Sequence, residues 1–168
     1  KDALGGASYA ANGNVAIGWQ AGDALTSGTQ NVLIGMNVAG ALTTGSDNVA
    51  VGKGALDGAT GAGQNIAIGS NTLGSATYSG SGNVAIGNES GATLTSAGQN
   101  ILIGGYTGNA LTTGADNVAI GAQALDAATT QSQNIAIGTD ALGAATYAAA
   151  ANVAIGYFAG DAMTTGVR

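Results

Sequence analysis

Few side chains in this chain could carry out chemistry. Its 168 residues include no His and no Cys, so it cannot assemble a Ser-His-Asp triad, a Cys-His pair or the usual transition-metal ligands. The nine acidic residues are spread along the sequence instead of being paired, whereas general acid–base catalysis needs groups that meet. We therefore expect that the protein is not an enzyme and that it uses no cofactor and no metal.

Charge and hydropathy limit the partners. The chain has three basic residues and a net charge of −6, and a surface that follows a phosphate backbone needs many more cations. Nucleic acid is therefore not expected as a partner. No apolar run approaches the roughly 20 residues that a helix needs to cross a bilayer, so we expect no membrane span in this segment.

Threonine recurs at a regular spacing along the whole chain. A flat array of hydroxyls at strand spacing, about 4.8 Å, could match an ice lattice. The same column could instead be a β-favouring threonine ladder whose hydroxyls pair along the stack. The column consists of Thr26, Thr43, Thr60, Thr77, Thr95, Thr112, Thr129, Thr146 and Thr164.

Carboxylates recur in two further columns. Asp23, Asp57, Asp126 and Asp161 share one position, and in the other, Asp47 and Asp116 alternate with glutamines. Acidic columns can collect calcium, but that ion needs six to eight oxygen ligands, and the glycine-rich nonapeptide of calcium-binding rolls is missing. The alternation with glutamine favours a ladder of amides and carboxylates, and the sequence leaves calcium binding open.

Exposed aromatic residues are a last candidate for binding. Trp19, Tyr106, Tyr157 and Phe158 all follow closely after a recurring glycine. Such rings could stack on sugars, or they could cover the end of a strand.

All these columns are organised by one pentapeptide, Asn-(Val/Ile)-(Ala/Leu)-(Ile/Val)-Gly, which occurs nine times at steps of 17 or 18 residues. Three alternating residues suit a short strand, and glycine suits a corner with positive φ. Asparagine tolerates a turn, and stacked copies could form a side-chain ladder. The structural ladder predicted here comprises Asn14, Asn31, Asn48, Asn65, Asn83, Asn100, Asn117, Asn134 and Asn152 with Gly18, Gly35, Gly52, Gly69, Gly87, Gly104, Gly121, Gly138 and Gly156.

The repeat defines the domain organisation. Residues 1–168 form a single array, with a partial coil at 1–13 and nine coils at 14–168. Every fourth coil has one extra residue, so the full period is 69 residues; the extra residue, at Gly13, Gly82 and Ala151, is interpreted as a small bulge. Because residues 1–13 match residues 139–151 in the middle of a repeat, we expect the chain to be a fragment of a longer fibre.

Counting the asparagine as position zero, positions eight and eleven exchange volume between coils. Gly22 is followed by Leu25, whereas Leu56 is followed by Ala59. One bulky residue per coil at either place is what a tight interior of fixed volume requires. The sequence therefore predicts that both positions face the same interior.

The strand alternation assigns two faces. We expect the Val and Ile of each strand to meet the interior and the residue at position two to point away from it. Since no residue at position two is charged or carries a hydroxyl, this face is predicted to be the seam of a homotrimer. The seam comprises Ala16, Leu33, Ala50, Ala67, Ala85, Leu102, Ala119, Ala136 and Ala154.

These features predict an all-β protein, a parallel β-solenoid or β-roll of 17–18-residue coils. A three-sided left-handed hexapeptide helix is the rival. It needs an aliphatic residue every six, and Asp23 stands where the next one after Ile17 should be.

The repeated Asn-Val-Ala-Ile-Gly with small and polar spacers resembles the head repeats of YadA-like trimeric autotransporter adhesins. It is equally similar to the repeats of phage tail fibres. The adhesin resemblance implies a left-handed parallel β-roll wound into a tight homotrimer, although the coils of that family are usually shorter, at about 14 residues. The adhesin resemblance also implies a cell-surface location and a host-surface glycan or matrix protein as partner, whereas the tail-fibre resemblance implies a location on a virion.

The expected function is therefore a structural or adhesive segment of an extracellular fibre, a rigid trimeric rod with a repetitive surface. A phage tail-fibre shaft is the alternative that uses the same rod. An ice-binding solenoid with a threonine ladder is the alternative from a different class.

Overall fold

The structure, a computed structural model, describes residues 3–5, 11–144 and 150–163. Nine three-residue strands lie in the described part, one for each pentapeptide. Of the features predicted from sequence, most of the partial coil, together with Ala145, Thr146 and Thr164, lies outside the described residues. The strands are β1 (Val15–Ile17), β2 (Val32–Ile34), β3 (Val49–Val51), β4 (Ile66–Ile68), β5 (Val84–Ile86), β6 (Ile101–Ile103), β7 (Val118–Ile120), β8 (Ile135–Ile137) and β9 (Val153–Ile155).

The strands form one parallel sheet in sequence order. Each residue pairs with its equivalent in the next coil, as Val15 pairs with Val32 and Ile17 with Ile34. Parallel strands one coil apart, with no helix in the described residues, make the chain a β-solenoid, which confirms the predicted fold class. At the spacing of neighbouring strands, nine strands extend about 40 Å along the axis.

The glycine that follows each strand makes the corner. Gly104 has φ of 138°, a conformation that L side chains rarely adopt. A Cβ there would lie 2.5 Å from the carbonyl oxygen of Gly121 in the next coil. Glycine is therefore required at this corner for two reasons, the backbone angle and the close approach of stacked backbones.

Positions eight and eleven share the interior, as predicted. Leu25, Leu42, Leu56 and Ala59 are all fully buried. The fourth coil is an exception, because Ala76 at position eleven is exposed and Tyr78 is fully buried. The fourth coil therefore buries a tyrosine in addition to Leu73, which is fully buried at position eight.

The extra residue of the fourth coil is not accommodated at Gly82. Gly82 has φ of 71°, and the residue before each asparagine in the shorter coils, such as Gln64 with φ of 60°, has the same left-handed conformation. The insertion lies earlier. The amide of Asn65 bonds the carbonyl of Gly80, 15 residues on, whereas Asn48 bonds Ala62, 14 residues on. The added length therefore falls within the bend that carries Tyr78.

The predicted orientation of the strands is wrong. Position two points into the interior of the chain itself, and the Val and Ile of positions one and three point outward. Leu33 and Leu102 are fully buried, whereas Ile17 is 58% exposed. The residues proposed for a trimer seam therefore belong to the core of a single chain: Ala16, Leu33, Ala50, Ala67, Ala85, Leu102, Ala119, Ala136 and Ala154.

The reason is volume. In each of the first eight coils the interior already holds a leucine from the second half of the coil, and small alanines opposite leave room for it. Leucine occurs at position two where glycine stands nearby. A Cβ on Gly22 would lie 2.8 Å from Cδ1 of Leu33, and one on Gly91 would lie 2.9 Å from Cδ1 of Leu102. Two β-branched side chains per strand would not fit the same space.

Exchanging the two interior residues of the third coil tests this shared volume. Leu56→Ala alone should cost about 2–5 kcal/mol as a cavity. Leu56→Ala combined with Ala59→Leu should cost much less, because it recreates the arrangement of Ala39 and Leu42 in the second coil. Denaturant unfolding of the parent, both single variants and the double variant measures the coupling. Additive losses would show that the two positions do not share one interior.

The corner can be tested with two neighbouring glycines. Backbone strain should make Gly104→Ala destabilise by about 1–3 kcal/mol, and the contact of its Cβ with the carbonyl of Gly121 should add to this cost. Gly104→Val should destabilise more because its Cβ is branched. Gly105→Ala is the control, because its Cβ would meet no atom within 4 Å. Thermal denaturation should separate the two sites. Equal melting temperatures for Gly104→Ala and Gly105→Ala would contradict the assigned corner.

Candidate functional site

The most distinctive surface of the chain is the outward side of its sheet. Every strand contributes two β-branched side chains to it, and parallel register stacks each one on its equivalent. Nine of its eighteen side chains are exposed, by 36–39% in the inner strands and by up to 67% at Val153 in the last strand, and the other nine are half-buried. We call this surface the Val/Ile face: Val15, Ile17, Val32, Ile34, Val49, Val51, Ile66, Ile68, Val84, Ile86, Ile101, Ile103, Val118, Ile120, Ile135, Ile137, Val153 and Ile155.

The Val/Ile face is continuous and carries no charge. Isolated apolar residues are normal on protein surfaces, but a contiguous apolar patch bordered by polar residues marks an interaction site. The ordered spacing of stacked strands also makes the face regular along the whole array. It offers shape and apolar area, which suits packing against another flat surface.

Two columns border the Val/Ile face. The entry edge is position sixteen, just before each asparagine, and includes Asp47. The exit edge is position five, just after each corner glycine, and includes Trp19 and Lys53. Asp47 and Lys53 are exposed, and Trp19 is 50% exposed. The two edges therefore differ in charge and size, whereas the face between them repeats.

The predicted aromatic candidates lie at this border and beyond it. Tyr106 is 44% exposed, and Tyr157 and Phe158 meet edge to face with their ring centroids 4.3 Å apart. Trp19 lies in the first coil and Tyr157 in the ninth. The aromatic residues are thus distributed along the rod and do not converge on one sugar-sized site.

A ladder of asparagines runs behind the sheet. The amide Nδ2 of Asn31 donates to Oδ1 of Asn14 at 3.0 Å and to the carbonyl of Gly45 at 2.9 Å. Oδ1 of Asn31 accepts from the backbone N–H and Nδ2 of Asn48. Each such side chain joins neighbouring coils and also closes its own coil. The interior members are fully buried, so the ladder satisfies polar groups that would otherwise be costly.

Tyr78 enters this ladder. Its hydroxyl donates to Oδ1 of Asn65 at 2.8 Å and accepts from Nδ2 of Asn83 at 2.7 Å. The tyrosine is thus fixed at both its ring and its hydroxyl. The sequence pattern did not predict a role for Tyr78. The extra residue of the coil is the signal that could have indicated a local change.

The threonine column is a set of inter-coil hydrogen bonds. The hydroxyl of Thr43 donates to the carbonyl of Thr60 at 2.9 Å, and that of Thr112 to the carbonyl of Thr129 at 2.8 Å. Ser79, not Thr77, makes the equivalent bond in the fourth coil, to the carbonyl of Thr95. These hydroxyls therefore bind backbone carbonyls of the next coil, and the predicted unbroken threonine column is interrupted.

The aspartates of position nine also bind backbone. A carboxylate oxygen of Asp57 accepts from the N–H of Gly40 at 3.2 Å. Burial raises the pKa of Asp126; a backbone hydrogen bond from Asn109 lowers it, and the charge of Asp140 raises it further. Among the residues that the structure describes, no three acidic side chains lie close enough together to hold a metal ion.

No helix in the described part of the chain is long and apolar enough to cross a membrane. Comparison with protein-family models, with curated proteins and with solved structures finds no match. The candidate site therefore rests on the geometry of this chain alone.

The buried tyrosine should make stability depend on alkaline pH. Burial raises the pKa of Tyr78 well above its ordinary value, although the hydrogen bond from Asn83 lowers it. Above about pH 10 the unfolded chain ionises this hydroxyl while the folded chain keeps its proton. Its contribution is therefore complete below about pH 10 and is lost as pH rises towards the folded-state pKa.

Denaturation midpoints at about pH 8 and about pH 11 test this dependence. The alkaline loss should shrink in Tyr78→Phe and persist in Tyr106→Phe, whose ring is exposed. An unchanged alkaline loss in Tyr78→Phe would show that the buried hydroxyl is not its source.

Proposed function

We propose that this chain is a segment of an extracellular fibre, in which three copies pack through their Val/Ile faces to form a rigid rod. The observation that carries the proposal is the Val/Ile face itself. It runs along all nine strands, and inner members such as Ile101 are still 39% exposed in the single chain. The role is structural and involves no catalysis.

Burying this face would stabilise an assembly. Apolar area removed from water contributes about 25 cal/mol per Å², and β-branched side chains are stiff, so little rotamer freedom is lost when they pack. The gain accumulates with every coil, because each adds the same pair of side chains. Three rods that share a common axis would cover the face in all copies.

The repeat supports a mechanical role. Each coil contacts only its neighbours, so length can grow without a new core. The hydrogen bonds from Asn31 to Asn14 and from Thr43 to Thr60 run along the axis, which is the direction in which a fibre bears load. This arrangement suits a spacer that holds something at a distance.

The location and target follow from the resemblance to adhesin and tail-fibre repeats. An adhesin would place the rod on a cell surface, with left-handed winding and a host-surface glycan or matrix protein as its target. A phage tail fibre would place the same trimeric rod on a virion. Both alternatives use the Val/Ile face in the same way.

Ice binding receives less support from the geometry. The hydroxyls of Thr43 and Thr112 donate to carbonyls of the next coil, and the column is broken where Ser79 replaces Thr77. A thermal hysteresis measurement on the purified chain separates this alternative from a fibre.

Three variants within one coil test the trimer. Ile101 lies on the Val/Ile face, Leu102 lies in the interior and Thr113 lies on the exposed bend of the same coil. Ile101→Asp should leave the chain folded but monomeric, because three unpaired carboxylates in a desolvated contact would cost several kcal/mol each. Leu102→Asp should prevent folding, and Thr113→Asp should remain trimeric.

Light scattering gives the mass, and circular dichroism reports whether each variant folds. A monomeric parent, or an Ile101→Asp variant that remains trimeric, would contradict this use of the face.

A further inference from the structure

The Val/Ile face cannot by itself determine how far one copy slides along another. Its strands are equivalent, so a shift by one coil, about 4.8 Å, replaces each contact with a similar one. Register in a sheet is weakly specified where the pattern repeats without distinction. An assembly with one defined register needs side chains that differ from coil to coil, and these are found on the two edges.

The edges of β3 carry opposite charges. Asp47 lies two residues before the strand and Lys53 lies two residues after it, so both are at the same height on the rod. Lys53 is the one cation among the described residues, and within the same ranges neither Lys53 nor Asp47 forms an ion pair. The two residues flank the strand from opposite sides and are separated by up to about 20 Å of chain. Both side chains are exposed, so one edge presents a negative charge and the other a positive charge.

The edges are also complementary in size where the largest side chains occur. Trp19 on the exit edge of β1 has Gly13 on the entry edge of the same strand. Tyr157 on the exit edge of β9 has Ala151 as its counterpart. A bulky side chain and a small one thus occupy the same height at both ends of the described array.

Symmetry decides which edges meet. Copies related by rotation about an axis parallel to the rod place the exit edge of one beside the entry edge of its neighbour, at equal height. An antiparallel pair would instead bring like edges together. Only the parallel arrangement puts Lys53 beside Asp47 and Trp19 beside Gly13.

We propose that a second copy of this chain packs in parallel and in register, with Lys53 of one copy donating to Asp47 of the next at each seam. The pairing rests on the trimer of the proposed function and specifies its geometry. A shift by one coil would leave Lys53 beside Gln30 or Gln64, so the ion pair and the size match at Trp19 both select the unshifted register.

Cross-linking tests the pairing, because the chain has no cysteine of its own. The double variant Asp47→Cys, Lys53→Cys, treated with a short bismaleimide, should give a three-chain product on a denaturing gel. The matched control is Asp116→Cys, Lys53→Cys. Asp116 occupies the same edge position, but it flanks β7, four strands or about 19 Å away, and should give no such product.

Light scattering on the same samples separates the two proposals. A trimer that yields no three-chain product, or that cross-links equally in the control, would overturn the register while leaving the trimer intact. A monomer would overturn the trimer and the pairing with it.

Charge exchange gives a second, independent measurement. Asp47→Lys should raise the dissociation constant of the trimer roughly tenfold at low salt, because like charges would meet at all three seams. Adding Lys53→Asp should restore it, and Asp116→Lys should have little effect because its counterpart is Ala122. About 1 M salt should remove the difference. If the dissociation constant of the double variant is no lower than that of Asp47→Lys alone, the proposed ion pair is overturned.

Discussion

The structure depends on the fixed volume of a narrow interior. Each coil must close around its own side chains and also match the coils above and below it, since stacked strands lie a constant distance apart. Bulk added at one position must therefore be removed at another. The exchange between Leu56 and Ala59, and the contact of Leu33 with the space above Gly22, follow the same rule. The fourth coil departs from this rule, because it buries Tyr78 as well as Leu73, and its added residue lies in the bend that carries the tyrosine.

This constraint explains why the most apolar residues lie outside. The interior accepts alanine from the strand because leucine already fills it from the opposite side, so Val and Ile remain for the surface. The closed coils also strain the backbone. Leu56 has φ of 56° and Asp47 has φ of 60°, conformations that L residues adopt with strain. Hydrogen bonds from every coil to its neighbours hold these residues in place.

Much of the architecture could be predicted from sequence. The spacing of the asparagines determined the coil length, the alternation predicted the short strands, and the trade between Gly22 and Leu25 identified the interior of the second half-coil. The orientation of the strands could not be obtained in the same way, because a period of two separates the faces without naming the inner one. Hydrophobicity alone favours placing the Val and Ile of each strand in the interior. The volume that leucine leaves there accommodates alanine instead. The glycines Gly22 and Gly91, each one coil before a leucine at position two, were the available clue that Leu33 and Leu102 point inward.

The asparagine ladder also gives the rod an electrical direction. In every step the amide nitrogen of the later coil points to the carbonyl oxygen of the earlier one, as from Asn31 to Asn14 and from Asn100 to Asn83. Each amide group has a dipole of about 3.5 D, and neighbouring dipoles polarise one another along a chain of hydrogen bonds. Strand peptides alternate in direction and largely cancel. The side-chain column does not, so positive potential accumulates towards the first coil and negative potential towards the last.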